Sequence, residues 1–115
     1  MNVRQPLPTA NTAGAEAMDQ MRRHACDASA LLKAMGNEQR LLILCQLVGR
    51  ECSVAELQAG GALSQSALSQ HLAVLREAGL VGTRREGQSV FYSLPAGPVR
   101  LVMQTLHDIY CREGS

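Results

Sequence analysis

One stretch of the chain, residues 63–79, most constrains what the sequence can fold into. It reads LSQSALSQHLAVLREAG, in which Ser64 suits a helix N-cap and Gly79 suits the left-handed conformation that ends a helix. Its leucines recur at helical spacing, so one face packs against a core. The other face carries polar, uncharged side chains at Gln65, Ser66, Ser69 and Gln70. Such side chains exchange hydrogen bonds with base edges, so we predict a DNA-reading helix, with a plain surface helix as the alternative.

The residues before this helix predict a second, shorter helix. Ser53 and Glu56 have the spacing of a capping box, so a helix begins at Ser53 and cannot pass Gly60-Gly61. Two helices joined by a tight turn that contains glycine form a helix-turn-helix, and its second helix enters the major groove of DNA.

The residues after the reading helix predict a β-hairpin. Two runs rich in Val, Thr, Phe and Tyr, residues 81–86 and 89–94, flank Gly87-Gln88, which suits a type II′ turn. A hairpin in this place is the wing of a winged helix-turn-helix. We expect its polar residues to contact the minor groove or the backbone, and the end of the reading helix to reach a phosphate. These candidate DNA contacts are Arg76, Arg84, Arg85 and Gln88.

Composition limits the class of protein. The chain has 115 residues, enough for about one domain, and with 46% hydrophobic but only 3% aromatic residues its core must be aliphatic. The net charge of +1 is far from strongly basic, although Arg76, Arg84, Arg85 and Arg100 cluster around the reading helix. No apolar run approaches the roughly 18 residues of a membrane span, and no signal-peptide pattern is present, so we expect a cytoplasmic protein.

The rest of the chain predicts further helices and an assembly. We interpret residues 1–14 as a flexible tail and residues 15–115 as one domain. We expect a helix over 15–35, a helix over 38–48 with Asn37 as its N-cap, and a last helix that opens at Gly97-Pro98. The first and last helices both carry an apolar stripe that the head does not need. We therefore expect them to pair in a homodimer, with a monomer that buries both stripes as the alternative. The predicted fold is mainly α with a small β-hairpin wing, in the order α-α-α-α-β-β-α.

The segments SVAEL, LSQSALSQHLAVLREAGLV and TRREGQSVFYSL resemble the ArsR/SmtB family of dimeric bacterial repressors, over about Ala28 to Cys111. This resemblance implies a dimer that binds an imperfect palindrome in double-stranded operator DNA and releases it when an inducer occupies a sensing site. The metal sites of the family are not matched. Cys52 stands alone where metal sensors carry Cys-x-Cys, and His107 and Asp108 are adjacent, so they point about 100° apart on a helix. We expect no metal and no other cofactor.

Two cysteines resemble those of the subgroup that responds to persulfide or polysulfide, which includes SqrR, BigR and HlyU. They lie in the segments Arg40 to Cys45 and Leu106 to Cys111. The resemblance implies that Cys45 and Cys111 are the sensing residues and join through a chain of sulfurs. On spacing alone, Cys45 is more simply a core residue, because it shares the apolar face of its helix. Cys111 is at the edge of its stripe, where reagents reach it.

Other functions remain open at this point. The same regulator could sense a soft metal or a peroxide, or it could activate transcription by displacing a silencing protein. A thiol-dependent sulfur-transfer protein is a further alternative. No general base and orienting residue accompany Cys111 in the sequence, so we do not expect an enzyme.

Overall fold

The computed structural model describes residues 8–111, with side chains from residue 14 onward. The described part is mainly helical with one small sheet, which confirms the predicted winged helix-turn-helix architecture. In chain order the elements are α1 (Pro8–Met35), α2 (Glu38–Gln46), β1 (Cys52–Ser53), α3 (Val54–Gly60), α4 (Gln65–Glu77), β2 (Gly82–Glu86), β3 (Ser89–Ser93) and α5 (Pro98–Tyr110). None of these helices is long and apolar enough to cross a membrane.

The first helix is longer than the sequence predicted. α1 begins at Pro8, so residues 8–14, which we expected in a flexible tail, are helical. Proline is compatible with the first turn of a helix, and a single glycine at position 14 costs only about 1 kcal/mol of helix stability, so neither residue breaks the helix. Residues 1–7 of the predicted tail lie outside the described part of the chain.

The chain divides into two compact units, with the boundary between Ala30 and Leu31. The first contains most of α1, and the second contains the end of α1 and all the other elements. Within α1 the side chains of Met18 and Met21 are more than half exposed.

Side-chain caps begin the central helices as predicted. Asn37 accepts hydrogen bonds at 3.0 Å from the backbone N–H groups of Gln39 and Arg40, which starts α2. The Glu56 N–H donates to the Ser53 hydroxyl at 3.1 Å, and the Ser53 N–H donates to the Glu56 carboxylate at 2.8 Å. This reciprocal pair is the predicted capping box, and it starts α3 without leaving those two N–H groups unsatisfied.

The sheet has one strand more than the predicted hairpin. β2 and β3 pair antiparallel around Gly87, whose φ of +61° is the left-handed conformation that the tight turn requires. The short strand β1 pairs antiparallel with the other edge of β3, with Cys52 opposite Tyr92, so the strand order is β1-β3-β2. We had interpreted Ser53 only as a helix cap. A two-residue strand is too short to leave a periodic signal in the sequence.

The core lies where α2, α3, α4 and α5 meet one face of the sheet, and it is aliphatic as predicted. Tyr92 is the only aromatic side chain among the buried hydrophobic residues of the described chain. The largest fully buried side chains are Leu44, Leu47, Leu57, Leu68, Leu75, Met103 and Cys52. These side chains lie in or next to α2, β1, α3, α4 and α5. The leucine face of α4 therefore fixes this helix to the rest of its unit.

Candidate nucleic-acid interface and cysteine pair

Helix α4 presents two chemically different faces. The Ser64 hydroxyl accepts a hydrogen bond from the Ala67 N–H at 3.2 Å and starts the helix, and the left-handed Gly79, with φ of +74°, follows its end. Leu68, Leu72 and Leu75 are buried. The predicted reading residues on the other face are all exposed: Gln65, Ser66, Ser69 and Gln70. The helix therefore offers amide and hydroxyl groups to solvent from a face that its leucines hold outward.

The hydrogen-bonding capacity of that face is largely unused. Ser66 lies 3.5 Å from the Ser64 hydroxyl, while the side chains of Gln65, Ser69 and Gln70 form no hydrogen bond with another described residue. An amide carries both donors and an acceptor, so it can form the bidentate pairs by which proteins distinguish bases in the major groove.

The two arginines of the wing point to opposite faces of the sheet. Arg85 is opposite Val90 in the register and shares a sheet face with Tyr92, which turns toward α4. Arg84 is opposite Phe91 on the outer face, where its guanidinium lies 4.6 Å from the ring centre. The predicted DNA contacts Arg85 and Gln88 are exposed, and neither side chain has a hydrogen-bond partner among the described residues.

Arg84 is already engaged within the protein. Its Nε and Nη2 groups each donate to a carboxylate oxygen of Glu51 at 2.9 Å, and Glu86 lies 3.7 Å away. The hydrogen bond from the charged guanidinium to Glu51 raises the pKa of Arg84, and the charges of both glutamates add to this effect. The two-pronged ion pair ties the wing to the residue before β1, so Arg84 acts first as an anchor of the wing.

Arg76 also has a partner inside the fold. Its Nη1 group donates to the hydroxyl of the buried Tyr92 at 2.6 Å, which links the last turn of α4 to β3. The remaining N–H groups of Arg76 are at the surface, because the residue as a whole is exposed. A contact with a phosphate, as the sequence predicted, would thus come from a guanidinium whose position is set by the wing.

Cys45 is exposed, and this corrects one prediction from spacing. Spacing alone favoured a core position for Cys45 on the apolar face of α2. The buried positions of this segment are Ile43, Leu44 and Leu47, and a rotation of about 100° per residue turns Cys45 away from them. Cys111 caps the C-terminal end of α5, where its N–H donates to the His107 carbonyl at 2.8 Å, and it is exposed as predicted.

Cys45 belongs to α2 and Cys111 caps α5, and these two helices pack against each other. Both thiols are free. Partial burial raises the pKa of the Cys45 thiol above its ordinary value, and a negative charge on Cys111 raises it further. A nearby negative charge disfavours the charged form of a thiol, so a thiolate at Cys111 favours the protonated form of Cys45.

The other two cysteines are in different surroundings. Cys52 is fully buried, and its thiol lies 3.5 Å from the Gln46 carbonyl oxygen as a weak donor. Burial raises the pKa of Cys52; Arg50 lowers this pKa and Glu56 raises it. A buried thiol with a raised pKa reacts slowly. Cys26 is exposed on α1, in the other unit.

An apolar groove of about 360 Å³ connects Cys45 with the turn of the helix-turn-helix. Cys45 and Gln46 line one side, and Gly60, Gly61 and Leu63 line the other. The side chain of Gln46 packs so closely on Gly60 that a methyl group there would clash with its amide. The end of α2, next to Cys45, therefore contacts the turn that sets the position of α4.

The described residues include no candidate site for a metal ion. Across residues 8–111, no three side chains of the His, Cys, Asp and Glu types come together where they could hold a metal ion.

Comparison with known proteins decides the family. The model of the family described as "Bacterial regulatory protein, arsR family" matches residues 37–83, from the cap of α2 into β2. The transcriptional activator HlyU of Vibrio cholerae is 52% identical over 95 residues, which are 83% of this chain and 88% of that protein. The chain belongs to the arsR family. It is therefore a transcriptional regulator with a helix-turn-helix DNA-binding domain.

Other relatives place this arsR protein among regulators of the HlyU and BigR type. The biofilm growth-associated repressor of Agrobacterium fabrum is 41% identical over 79% of this chain and 78% of its own length. The structure of reduced HlyU from Vibrio cholerae covers 80% of this chain and 97% of that one, with 53% identity and a TM-score of 0.76. A homodimeric winged helix-turn-helix DNA-binding domain from Mycobacterium bovis covers 79% and 84%, with 25% identity and a TM-score of 0.69.

Sequence reasoning on this arsR protein missed contacts between residues that are far apart in the chain. Nothing near Glu51 indicated a partner in the wing, and nothing near Gln46 indicated that its amide would pack on Gly60. The Gly60-Gly61 pair did signal a turn, but not the side chain that packs against Gly60.

Proposed function

We propose that the protein is a dimeric repressor that leaves its operator when Cys45 and Cys111 react with a persulfide or polysulfide. One observation carries the proposal: two free, exposed thiols lie on α2 and at the end of α5, and these two helices pack against each other. The arsR family and the relatives of the HlyU and BigR type support DNA-dependent regulation as the outcome.

DNA recognition is assigned to α4 and the wing. The exposed amides and hydroxyls of α4 read base edges in the major groove. Arg85 and Gln88 contact the minor groove or the backbone from the wing, while Arg76 and Arg84 add charge near phosphates in addition to their contacts within the fold. Phosphate contacts position the protein, and base contacts specify the sequence.

The dimer is assigned to the apolar surfaces of the first and last helices. α5 leaves Leu101, Ile109 and Tyr110 more than half exposed, as α1 leaves Met18 and Met21. Side chains of this size and exposure on two helices are typical of a surface that a partner covers. A twofold dimer presents two α4 helices to successive major grooves, about 34 Å apart, and so selects an imperfect palindrome.

The thiol chemistry starts with a thiolate, because the thiolate is the nucleophile. Each cysteine attacks the outer sulfur of a persulfide RSSH and releases the thiol RSH, which leaves a persulfide on the protein. The terminal sulfur of one protein persulfide then attacks the inner sulfur of the other and expels hydrogen sulfide. The product is a bridge of three sulfurs between the two β-carbons. We expect Cys111 to react first, because the raised pKa of Cys45 keeps that residue in its thiol form.

Release of DNA follows from the position of Cys45 next to Gln46. A bridge to α5 displaces the end of α2, and the tight contact of Gln46 with Gly60 passes this displacement to the turn before α4. A coupling of about 1–3 kcal/mol, which is typical of allosteric proteins, weakens operator binding by roughly 5- to 150-fold.

The test combines mass and affinity on the same samples. The reduced protein is treated with polysulfide, peroxide, a disulfide reagent or metal ions, and each product is mapped by peptide mass and titrated with operator DNA. We expect polysulfide alone to give a Cys45–Cys111 crosslink that is heavier than a disulfide by at least one sulfur atom, together with weakened DNA binding. A plain disulfide from every oxidant, or unmodified thiols, would leave the inducer of the regulator open to metals or peroxide.

Activation of transcription is the second candidate, because one relative is named an activator and another a repressor. An anti-silencing activator would bind the same operator and displace a silencing protein from it. Transcription of an operator-bearing template in a purified system separates the two. A repressor lowers transcription without any other factor, and an anti-silencer changes it only when a silencing protein is present. Either role places the protein with the DNA, in the cytoplasm.

A further inference from the structure

A second concavity, of about 360 Å³, lies between the end of α2, the end of β3 and the first half of α5. Leu47 and Leu94 form part of its apolar wall, and both are buried. Its polar lining consists of Arg50, Ser93, Arg100 and Gln104. It is separate from the groove at Cys45, with which it shares no lining residue.

Two guanidinium groups line this pocket without a carboxylate. Arg50 donates from Nε to the Gln46 carbonyl at 3.2 Å, and Arg100 donates from Nη2 to the Leu94 carbonyl at 2.6 Å. These bonds hold each arginine at the wall and leave most of its N–H groups unused. No acidic residue lines the pocket, and the ion pairs seen in the described part of the chain involve neither arginine.

We propose that this pocket binds a small oxyanion, of the carboxylate or phosphate class. Two positive charges in the lining of one concave site repel each other, and an anion between them removes the repulsion while it accepts charge-assisted hydrogen bonds. The Ser93 hydroxyl and the Gln104 amide supply further donors for the same oxygens.

The geometry favours a free anion over a phosphate of the operator. Ser93 is opposite Gly82 at the base of the hairpin, while Ser89 is next to the wing tip at Gln88. At about 3.4 Å per residue, the pocket is therefore about 14 Å along β3 from the tip that is assigned to DNA. The recess is also of a size for a small molecule.

We expect occupancy of the pocket to strengthen DNA binding. This part of the proposal rests on the proposed function. The anion joins the loop that follows α2 to α5; Cys45 lies near the end of α2, and Cys111 caps the end of α5. It holds them in the arrangement of the unbridged protein, which is the form assigned to operator binding. Because a ligand stabilises the state that it binds, the anion acts as a corepressor and opposes release.

The test measures binding of inorganic phosphate and of succinate to the full chain by calorimetry, at constant ionic strength. Arg50→Gln and Arg100→Gln are compared with Arg40→Gln. The control arginine also donates to a backbone carbonyl, that of Ala34 at 2.6 Å, but it does not line the pocket. We expect saturable binding of at least one anion, weakened about tenfold or more by each pocket variant and unchanged by the control.

The proposal would be overturned if neither anion showed saturable binding, or if anion affinity fell equally in the control and the pocket variants. It would also be overturned if operator DNA competed fully with phosphate for the pocket, because the arginines would then be assigned to DNA. The melting temperature of each variant without anion shows whether it folds; if Arg100→Gln does not, Arg50→Gln decides. Anion binding that leaves operator affinity unchanged would refute the corepressor role alone. An anion effect on affinity in a protein that polysulfide does not crosslink would instead count against the sulfur response.

Discussion

Helix α4 and the cysteine pair are the two regions to which we assign functions, and their assembly depends on different kinds of information. In α4, every residue of the reading face lies within one helix, and the leucines that turn it outward lie in the same helix. The cysteine pair exists only because α2 packs against α5, from the far end of the chain. A local pattern is therefore enough to build the proposed DNA-reading surface, whereas the proposed sensing surface is a product of tertiary packing.

The first prediction separates the two faces of α4. Leu68 is buried, so Leu68→Ala should lower the free energy of unfolding by about 2–5 kcal/mol, measured by urea denaturation. The adjacent Ser69 is exposed, and Ser69→Ala should change stability by no more than about 0.5 kcal/mol. The substitution at Ser69 should instead reduce operator affinity. Equal losses of stability in the two variants would show that the faces are not divided as described.

The second prediction isolates the cysteine pair from the reading helix. Cys45→Ser and Cys111→Ser should each bind operator DNA as the reduced wild type does, because neither residue belongs to α4 or to the wing. Each should lose the whole roughly 5- to 150-fold response to polysulfide. Cys26→Ser is the matched control, since Cys26 is also an exposed thiol and is expected to leave the response intact. The readout is fluorescence anisotropy of labelled operator DNA before and after treatment. A full response in Cys111→Ser would show that no bridge is needed.

The contact between Gln46 and Gly60 is where the two regions meet, and the third prediction tests it. Gly60→Ala should destabilise the protein by about 1 kcal/mol or less, because the new methyl group meets the flexible end of the Gln46 side chain, which can turn aside. Gln46→Ala removes that amide, so the double variant should recover most of the loss. Both variants with Gln46→Ala should still form the polysulfide crosslink but show a smaller change in operator affinity. If the stability losses of the two single variants simply add in the double variant, the contact between Gln46 and Gly60 is excluded.

The fold was largely predictable from the sequence, because caps, periodicity and turn residues act locally. Asn37, Ser53 and Ser64 each cap the helix expected of them, and Gly87 forms the expected turn. The site was less predictable. Cys45 shares spacing with apolar residues, but which face of α2 is buried depends on α4 and α5, so the core interpretation was wrong. The pairing of Arg84 with Glu51 likewise depends on the added strand β1, which brings distant residues to one sheet.

The fourth prediction distinguishes phosphate contacts from base contacts on the reading side. Arg85→Gln should weaken binding to all DNA sequences and lower the slope of log affinity against log salt by about 1, because one phosphate contact is lost. Gln70→Ala should keep the slope and alter sequence preference, at about 1–3 kcal/mol for the affected base pair. Titrations of specific and mutated operators at several salt concentrations measure both. The same loss of specificity in both variants would contradict the division between wing and helix.

The last prediction uses the charge interaction within the cysteine pair. Burial is the larger cause of the raised Cys45 pKa and the charge on Cys111 the smaller one. The rate of Cys45 alkylation by iodoacetamide should therefore rise with pH at a midpoint above that of an ordinary thiol. In Cys111→Ser this midpoint should fall, because the neighbouring charge is gone, but it should stay above the ordinary value, because the burial remains. The folded form holds the Cys45 proton more tightly than the unfolded chain does, so its contribution to stability is complete below the unfolded pKa. That contribution is lost as the pH rises through the folded pKa. A midpoint that Cys111→Ser leaves unchanged would mean that the two sulfurs do not interact, and the bridge would then require movement of α2 or α5.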